Sequence, residues 1–227
     1  MTTTLITGGN RSLGYQTAKE LIAAGHDVWI GARDEERGRA AAEELGAKFV
    51  QLDVTDDASV AAAAETVGAL DVLINNAGIA GDHVPIGYVT ADHLRSVFEV
   101  NVYGPVRVFQ AFRPLLERSS NPVVVNVSSG MGSITLTSDP KRVESSFTNI
   151  TYSPSKSALN MIGSQLARSY PNMRINTVDP GYTATDFNGH SGHQTVEEGV
   201  EACVKLAQIG PDGPTGTFQD RFGTVPY

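Results

Sequence analysis

The stretch Thr4-Leu-Ile-Thr-Gly-Gly-Asn-Arg-Ser-Leu-Gly14 runs from a short β-type segment through a glycine-bearing turn into a helix. Glycine at such a junction lets the backbone turn sharply and approach a bound anion, which the first turn of the helix then stabilises. The spacing is neither G-x-G-x-x-G nor the Lys-Ser/Thr ending of a P-loop, so on this segment alone a ligand-free glycine turn stays open. Outward from it, strand and helix signals alternate. Strands are expected at about 3–7, 27–31, 48–52, 71–74, 123–127, 174–178 and 216–219. Helices are expected through Ala24 and over 34–45, 56–67, 152–169 and 196–208. Between about 90 and 118 the helical signal meets Pro105 and Pro114, which mark breaks or kinks. Val123-Val-Val-Asn-Val127 is β-branched at four of its five positions, the pattern of a strand covered on both faces. The alternation predicts a single α/β domain over residues 1–227, built as a doubly wound, mostly parallel sheet with helices on both faces. In such a sheet the ligand lies beyond the carboxyl ends of the strands.

The bulk numbers narrow the class. The chain has 227 residues, 41% of them hydrophobic, enough for a sizeable core. No apolar run approaches a membrane span, and Met1-Thr-Thr-Thr-Leu-Ile-Thr7 lacks the charged and apolar regions of a signal peptide. The single cysteine, Cys203, excludes an internal disulfide and suits a reducing cytoplasm. A net charge of −8 argues against nucleic acid as a general partner. His190 and His193 stand three apart, but no acid or cysteine completes a ligand set and Gly192 lies between them, so no metal is expected.

Tyr152 and Lys156, four residues apart in Thr151-Tyr-Ser-Pro-Ser-Lys156, share one face of a helix. An ammonium beside a phenol favours the phenolate and lowers its pKa toward a range useful for proton transfer. The step alone is not diagnostic, since Tyr15 and Lys19 show it too and read as an ordinary helix surface. Pro154 is acceptable only in a first helical turn, which places the helix start near Tyr152 with Thr151 or Ser153 as caps.

With Asn75-Asn-Ala-Gly78 after the fourth strand, Asn101, Ser129, Tyr152/Lys156 and Asp179-Pro-Gly181 in order, the chain resembles the short-chain dehydrogenase/reductase family, and within it the carbonyl-reductase-like members. The resemblance extends from Thr4 to about Asp186, over four-fifths of the chain. It implies a Rossmann domain binding NADP(H) or NAD(H) and an oxidoreductase acting on a ketone, an aldehyde or a secondary alcohol. Tyr152 then exchanges the proton as hydride moves, Lys156 tunes it and bonds the nicotinamide ribose, Ser129 orients the carbonyl, and Asn101 holds a water in a proton relay. Ser128 is the competing serine; the family serine is the second of such a pair. For Asn101 the plain alternative is a helix-break cap before Pro105. The family glycine pattern T-G-x-x-x-G-x-G is matched by Thr7, Gly8 and Gly14, whereas Ser12 replaces its middle glycine. The cofactor surface implied comprises Gly8, Asn10, Arg11, Ser12, Leu13, Gly14, Arg33, Asp53, Val54, Asn76, Ala77, Gly78, Tyr152, Lys156, Pro180, Gly181, Thr183 and Thr185. Asp53 falls where the family contacts the adenine amino group, or else caps the helix starting near Asp56.

An acid closing the second strand would bind a ribose 2′-hydroxyl and repel a 2′-phosphate. That position holds Ala32, followed by Arg33, with Arg11 in the glycine turn. Two guanidiniums suit a phosphate, so NADP(H) is preferred over NAD(H); the bland alternative pairs Arg33 with Asp34 or Glu36. Ser129 and Tyr152 stand 23 positions apart, and the extra segment, about 132–149, resembles the insertion of carbonyl-reductase-like members. Because that insertion covers an oligomer face in some members, a monomer is as compatible as a homo-oligomer. The substrate loop, about 182–195, is short and leaves an open pocket that Tyr182, Phe187, Met131 and Ile134 could line. A second reading, from a different class, is a non-catalytic dinucleotide-sensing regulatory protein on the same fold.

Overall fold

The computed structural model describes residues 1–227. Its centre is β1 (Thr3–Thr7), whose alternating side chains enter two different cores: Leu5 joins one apolar cluster and Ile6 the other. That period of two is what a strand covered on both faces requires. The remaining strands are β2 (Asp27–Ala32), β3 (Lys48–Gln51), β4 (Val72–Asn75), β5 (Val123–Val127), β6 (Arg174–Val178), β7 (Phe218–Asp220) and β8 (Gly223–Thr224). They form one sheet in the order β3-β2-β1-β4-β5-β6-β7-β8. All neighbours pair in parallel except β7 and β8. The chain winds outward from β1 in one direction and then from β4 in the other. The loops after these two strands therefore part, and the crevice between them opens at the carboxyl edge.

One face of the sheet carries α1 (Ser12–Ala23), α2 (Glu35–Leu45) and α8 (Val196–Ala207), which contribute Ala18, Leu21, Ala41, Cys203 and Leu206 to the cluster around Ile6 and Ile30. The other face carries α3 (Asp57–Val67), α5 (Gly104–Leu116) and α7 (Tyr152–Ser169). There Val60, Phe109, Phe112, Leu116 and Ala167 pack with Leu5 and Ile175. No helix is long and apolar enough to cross a membrane.

Three features add to the sequence expectation. The prolines do not break the helix between 90 and 118. Instead α4 (Ala91–Phe98) passes through one widened, π-type turn at Glu99–Tyr103 directly into α5. Pro105 has no N–H for the carbonyl four residues back, that of Asn101, and the ladder widens there rather than ending. Pro114 lies inside the last turn of α5. The last parallel strand begins at Phe218 and is followed by the short antiparallel β8, which is too brief to leave a periodic signature. Finally, the 132–149 segment is folded, with α6 (Ile134–Ser138) and a 3₁₀ turn at Val143–Ser146. It is tied to the far edge of the sheet: Ser133 Oγ donates to the Pro226 carbonyl at 2.6 Å, and Leu136 packs with Phe218 and Val225.

Candidate active site

The crevice is assembled from the β1 turn outward. Gly8 has φ +64°, and a Cβ on Gly14 would stand 2.4 Å from the Gly8 carbonyl oxygen, so neither position accepts a larger residue without moving the turn. Thr7 Oγ1 accepts from the amides of Asn76 and Ala77, both at 3.0 Å. Asn76 Nδ2 donates to the carbonyls of Thr7 at 2.9 Å and Gly8 at 3.1 Å. The Asn76 side chain thus stitches the glycine turn to the β4 loop, which is a positioning use of a residue expected at the cofactor. Ser12 opens α1 at φ +47°, a left-handed backbone that glycine adopts freely and serine rarely does. Its hydroxyl points away across the crevice to Asp186 Oδ2 at 3.4 Å. Asn10 is half-buried, Arg11 is exposed, and Leu13 packs toward Gly199 of α8.

At the outer side, Arg33 is exposed after the buried Ala32. The bland pairing is not what the structure has, because Asp34 caps α2 through the Arg37 amide and faces the Arg37 guanidinium. Nor does Asp53 cap the next helix; Asp56 does so itself, accepting from Ala58 and Ser59. Asp53 Oδ1 accepts from the Thr55 amide at 2.9 Å and hydroxyl at 2.7 Å. Burial opposes its ionisation, but those bonds, then the charges of Arg33 and Arg107, outweigh it and hold the carboxyl below its ordinary range. Arg107 also donates to the Val54 carbonyl, fixing that loop against α5.

The reacting end lies where β5 and β6 finish beside the start of α7. Ser128 is buried and its hydroxyl reaches the Lys156 carbonyl at 3.4 Å. Ser129 is partly exposed, accepts from the Met131 amide at 3.2 Å and lies beside the Tyr152 hydroxyl, where it favours the phenolate. Of the two serines, only the second faces the phenol. Lys156 is 4% exposed; its Nζ lies over the Tyr152 ring, 5.7 Å from the centroid, and donates to the Val127 carbonyl at 2.8 Å. Burial pushes the Lys156 ammonium down to about 8. Burial also raises the Tyr152 phenol well above its ordinary value, against the Ser129 hydrogen bond and together with the charge of Asp179. The expectation that the lysine brings the phenol down is therefore not met. The ammonium sits over the ring face rather than at the oxygen, and desolvation dominates. A phenol held protonated at neutral pH is in the state that gives a proton to an oxygen. Tyr15 differs in kind: the Glu44 carboxylate, not a lysine, acts on its hydroxyl and raises it above its ordinary value.

Asn101 is fully buried in the widened turn. Its Oδ1 accepts from the Ile79 amide at 2.9 Å, and its Nδ2 donates to the Ile79 carbonyl at 2.9 Å and to Ser155 Oγ at 3.1 Å. It is neither a cap nor beside a helix break; it joins the β4 loop to α7. Gly78 lies against it, where a Cβ would stand 3.3 Å from Asn101 Oδ1 and 3.6 Å from Lys156 Nζ. The start of α7 is capped by neither Thr151 nor Ser153. Asn149 Oδ1 accepts from the Thr151 amide at 2.9 Å, the Thr151 hydroxyl at 2.9 Å and the Tyr152 amide at 2.7 Å. The signal was available as an Asx turn three residues ahead of the helix. After β6, Gly181 takes φ +70°, Thr183 Oγ1 donates to the Pro180 carbonyl at 2.8 Å, and Thr185 caps the turn Asp186–Asn188. Phe187 tilts over Tyr152, with ring centroids 5.4 Å apart, and Phe147 of the inserted segment meets Tyr182 at 5.8 Å. His190 pairs with Asp186 at 2.9 Å, while His193 lies edge-on to Tyr182.

A model of the short chain dehydrogenase family matches residues 2–195. The chain belongs to the short-chain dehydrogenase family. This short-chain dehydrogenase is 31% identical to (+)-neomenthol dehydrogenase of Capsicum annuum, over 94% of this chain and 94% of that one. The structure of salutaridine reductase from Papaver somniferum aligns with a TM-score of 0.85 at 27% identity, covering 97% of this chain and all of the other. An NADPH-bound carbonyl reductase from chicken fatty liver aligns with a TM-score of 0.87 at 28% identity, covering 99% and 98% of the two chains. As a member, the chain is an oxidoreductase with the Rossmann-type sheet described above.

Proposed function

We propose that this chain is an NADP(H)-dependent carbonyl reductase or alcohol dehydrogenase in which Tyr152 is the general acid for reduction and the general base for oxidation. The observation that carries the reading is the placement of the Tyr152 phenol beside Ser129, with Lys156 Nζ over its ring, at the carboxyl edge of the sheet. A dihydronicotinamide, when bound in the crevice, would supply the hydride. Tyr152 gives its proton to the carbonyl oxygen, a contribution typically worth ~10²–10⁴-fold in rate. Ser129 orients and polarises that oxygen. Lys156 keeps a buried ammonium over the phenol ring and would hydrogen-bond the nicotinamide ribose. Asn101 holds the β4 loop and α7 at a fixed separation beside that lysine, and a water bonded there would complete a proton relay.

The crevice suits a dinucleotide. The turn before α1 and the Asn76-fixed loop after β4 leave backbone free at the switch point, with Gly8, Ser12 and Gly14 on one wall and Ala77 and Gly78 on the other. The exposed, unpaired Arg33 following Ala32 supports a 2′-phosphate and hence NADP(H). The NADPH-bound state of the chicken carbonyl reductase supports the same choice. A small ketone, aldehyde or secondary alcohol is the substrate, bounded by Phe187 and Tyr182. A panel of such compounds, followed by NADPH and NADH absorbance, tests the reading. Turnover of carbonyls with NADPH is expected. Tight NADPH binding without turnover of any carbonyl or alcohol would favour the regulatory alternative.

A further inference from the structure

The glycine turn after β1 and the loop after β6 meet through a polar contact. Ser12 Oγ donates to Asp186 Oδ2 at 3.4 Å, across 174 positions of sequence. In the sheet β1 and β6 are separated by β4 and β5, so their ends lie three strand spacings, ~14 Å, apart. To make the contact, the loop leans back over the carboxyl edge where the crevice opens. The same two walls also meet by packing at Gly199 of α8, where a Cβ would stand 2.4 Å from Thr183 Oγ1 and 3.0 Å from Leu13 Cδ2. The packed junction is fixed. The Ser12–Asp186 contact is exposed, and a side-chain rotation opens it.

Both partners are set up for this contact. Ser12 has φ +47°, a strained backbone for serine that glycine would take freely; what the serine adds is the hydroxyl given to Asp186. Asp186 opens a turn that is braced from within. Its Oδ1 pairs with His190 Nε2 at 2.9 Å, Asn188 Nδ2 donates to the Thr183 carbonyl at 2.9 Å, and the His190 amide donates to the Thr185 carbonyl at 2.9 Å. At the base of the loop the Ala184 amide donates to the Gln194 carbonyl at 2.9 Å. A loop tied in this way swings about its base as one piece. The residue after Asp186 is Phe187, whose ring lies 5.4 Å from that of Tyr152, so the turn touches the cofactor wall and the reacting end together.

We propose that Ser12 and Asp186 form a clasp across the mouth of the crevice, which opens for NADP(H) to enter or leave and closes behind it. The role rests on that crevice being the seat of NADP(H). A clasp closed in both the free and the loaded chain is a barrier common to entry and exit, so it slows both and leaves affinity nearly unchanged. A hydroxyl that instead bonded a cofactor phosphate would act on exit alone, and its loss would weaken binding. While closed, the clasp also holds Phe187 against Tyr152. Ser12 is thereby a positioning residue for the reacting end, reached through Asp186.

Stopped-flow fluorescence of NADPH with the full chain separates the two roles without requiring turnover. In Ser12→Ala the association and dissociation rate constants should both rise about threefold, the scale of one weak exposed hydrogen bond, with Kd changing far less. On an Asp186→Ala background, where the clasp is already gone, the same substitution should add nothing to either rate. A rise in dissociation alone, with Kd weakened to match, overturns the clasp and makes Ser12 a phosphate ligand. So does an effect of Ser12→Ala that is equally large in both backgrounds. Should Ser12→Ala fold poorly, Ser12→Gly removes the same hydroxyl, relieves the backbone, and is judged by the same outcomes. If the wild type binds no NADPH, the cofactor reading fails, and amide hydrogen exchange in the free chain still judges the clasp. Exchange across 182–195 should be several-fold faster in Ser12→Ala than in wild type, and equal exchange overturns the proposal.

Discussion

At Tyr152 two influences oppose each other: burial raises the phenol, and the Ser129 hydrogen bond lowers it. The four-residue step to Lys156 was legible in the sequence, and so was the second serine of the pair. The balance between them was not, because it depends on where the Lys156 Nζ ends up, over the ring and bonded to Val127. The residue after β2 was legible in the same way. Ala32-Arg33 lacks the acid that a 2′-hydroxyl would want, and the structure leaves Arg33 without an acidic partner by giving Asp34 to Arg37. Arg33→Asp is expected to raise the KM for NADPH at least ~10-fold, through lost charge-assisted contacts and added repulsion, while changing that for NADH much less. Steady-state kinetics with both cofactors check this, and equal effects would defeat the phosphate assignment.

The elements were read well where their periodicity is strong. β5, β6 and α7 fall where the sequence put them, because strands rich in β-branched residues and a proline confined to a first turn leave little choice. What escaped is local hydrogen-bond chemistry that periodicity does not encode. Asn149 caps α7 through three donors, and its replacement by Ala would leave the Tyr152 amide without a partner. Asn149→Ala should lower unfolding stability by about 1 kcal/mol. Because the first residue of that helix is Tyr152, kcat should fall several-fold with KM little changed. Chemical denaturation and initial rates measure both effects, and a full-rate variant would place the cap outside the chemistry. The widened turn at Asn101 escaped for a related reason: a proline in a helix signals a disturbed ladder, but not whether the chain breaks or widens.

Over the whole molecule, the doubly wound order brings the ends of β1, β4, β5 and β6 to one edge, and with them residues as far apart in sequence as Gly8 and Gly181. Burying charge there carries a stability cost that depends on pH. Asp179, raised from 3.8 to about 6, keeps its proton in the folded state after the unfolded chain has lost it. Its contribution is therefore complete below about pH 4 and lost as pH rises through 6. Lys156, lowered from 10.5 to about 8, acts in the other direction, with a contribution present above its unfolded pKa and lost as pH falls through 8. Both buried groups thus weigh against stability at neutral pH. Asp179→Asn should remove a pH-dependent loss of the order of 3 kcal/mol between pH 4 and 6, seen as a gap between wild-type and variant urea-denaturation curves that changes across that window. A constant gap would show that Asp179 ionises normally.

The proton donor is tested most directly by Tyr152→Phe, which removes one oxygen and keeps the ring against Phe187 and under Lys156. With NADPH and a carbonyl substrate in single-turnover mode, hydride transfer should slow by ~10²-fold or more while NADPH binding changes less than about twofold. Hydride transfer at a near wild-type rate in the phenylalanine variant would contradict the account.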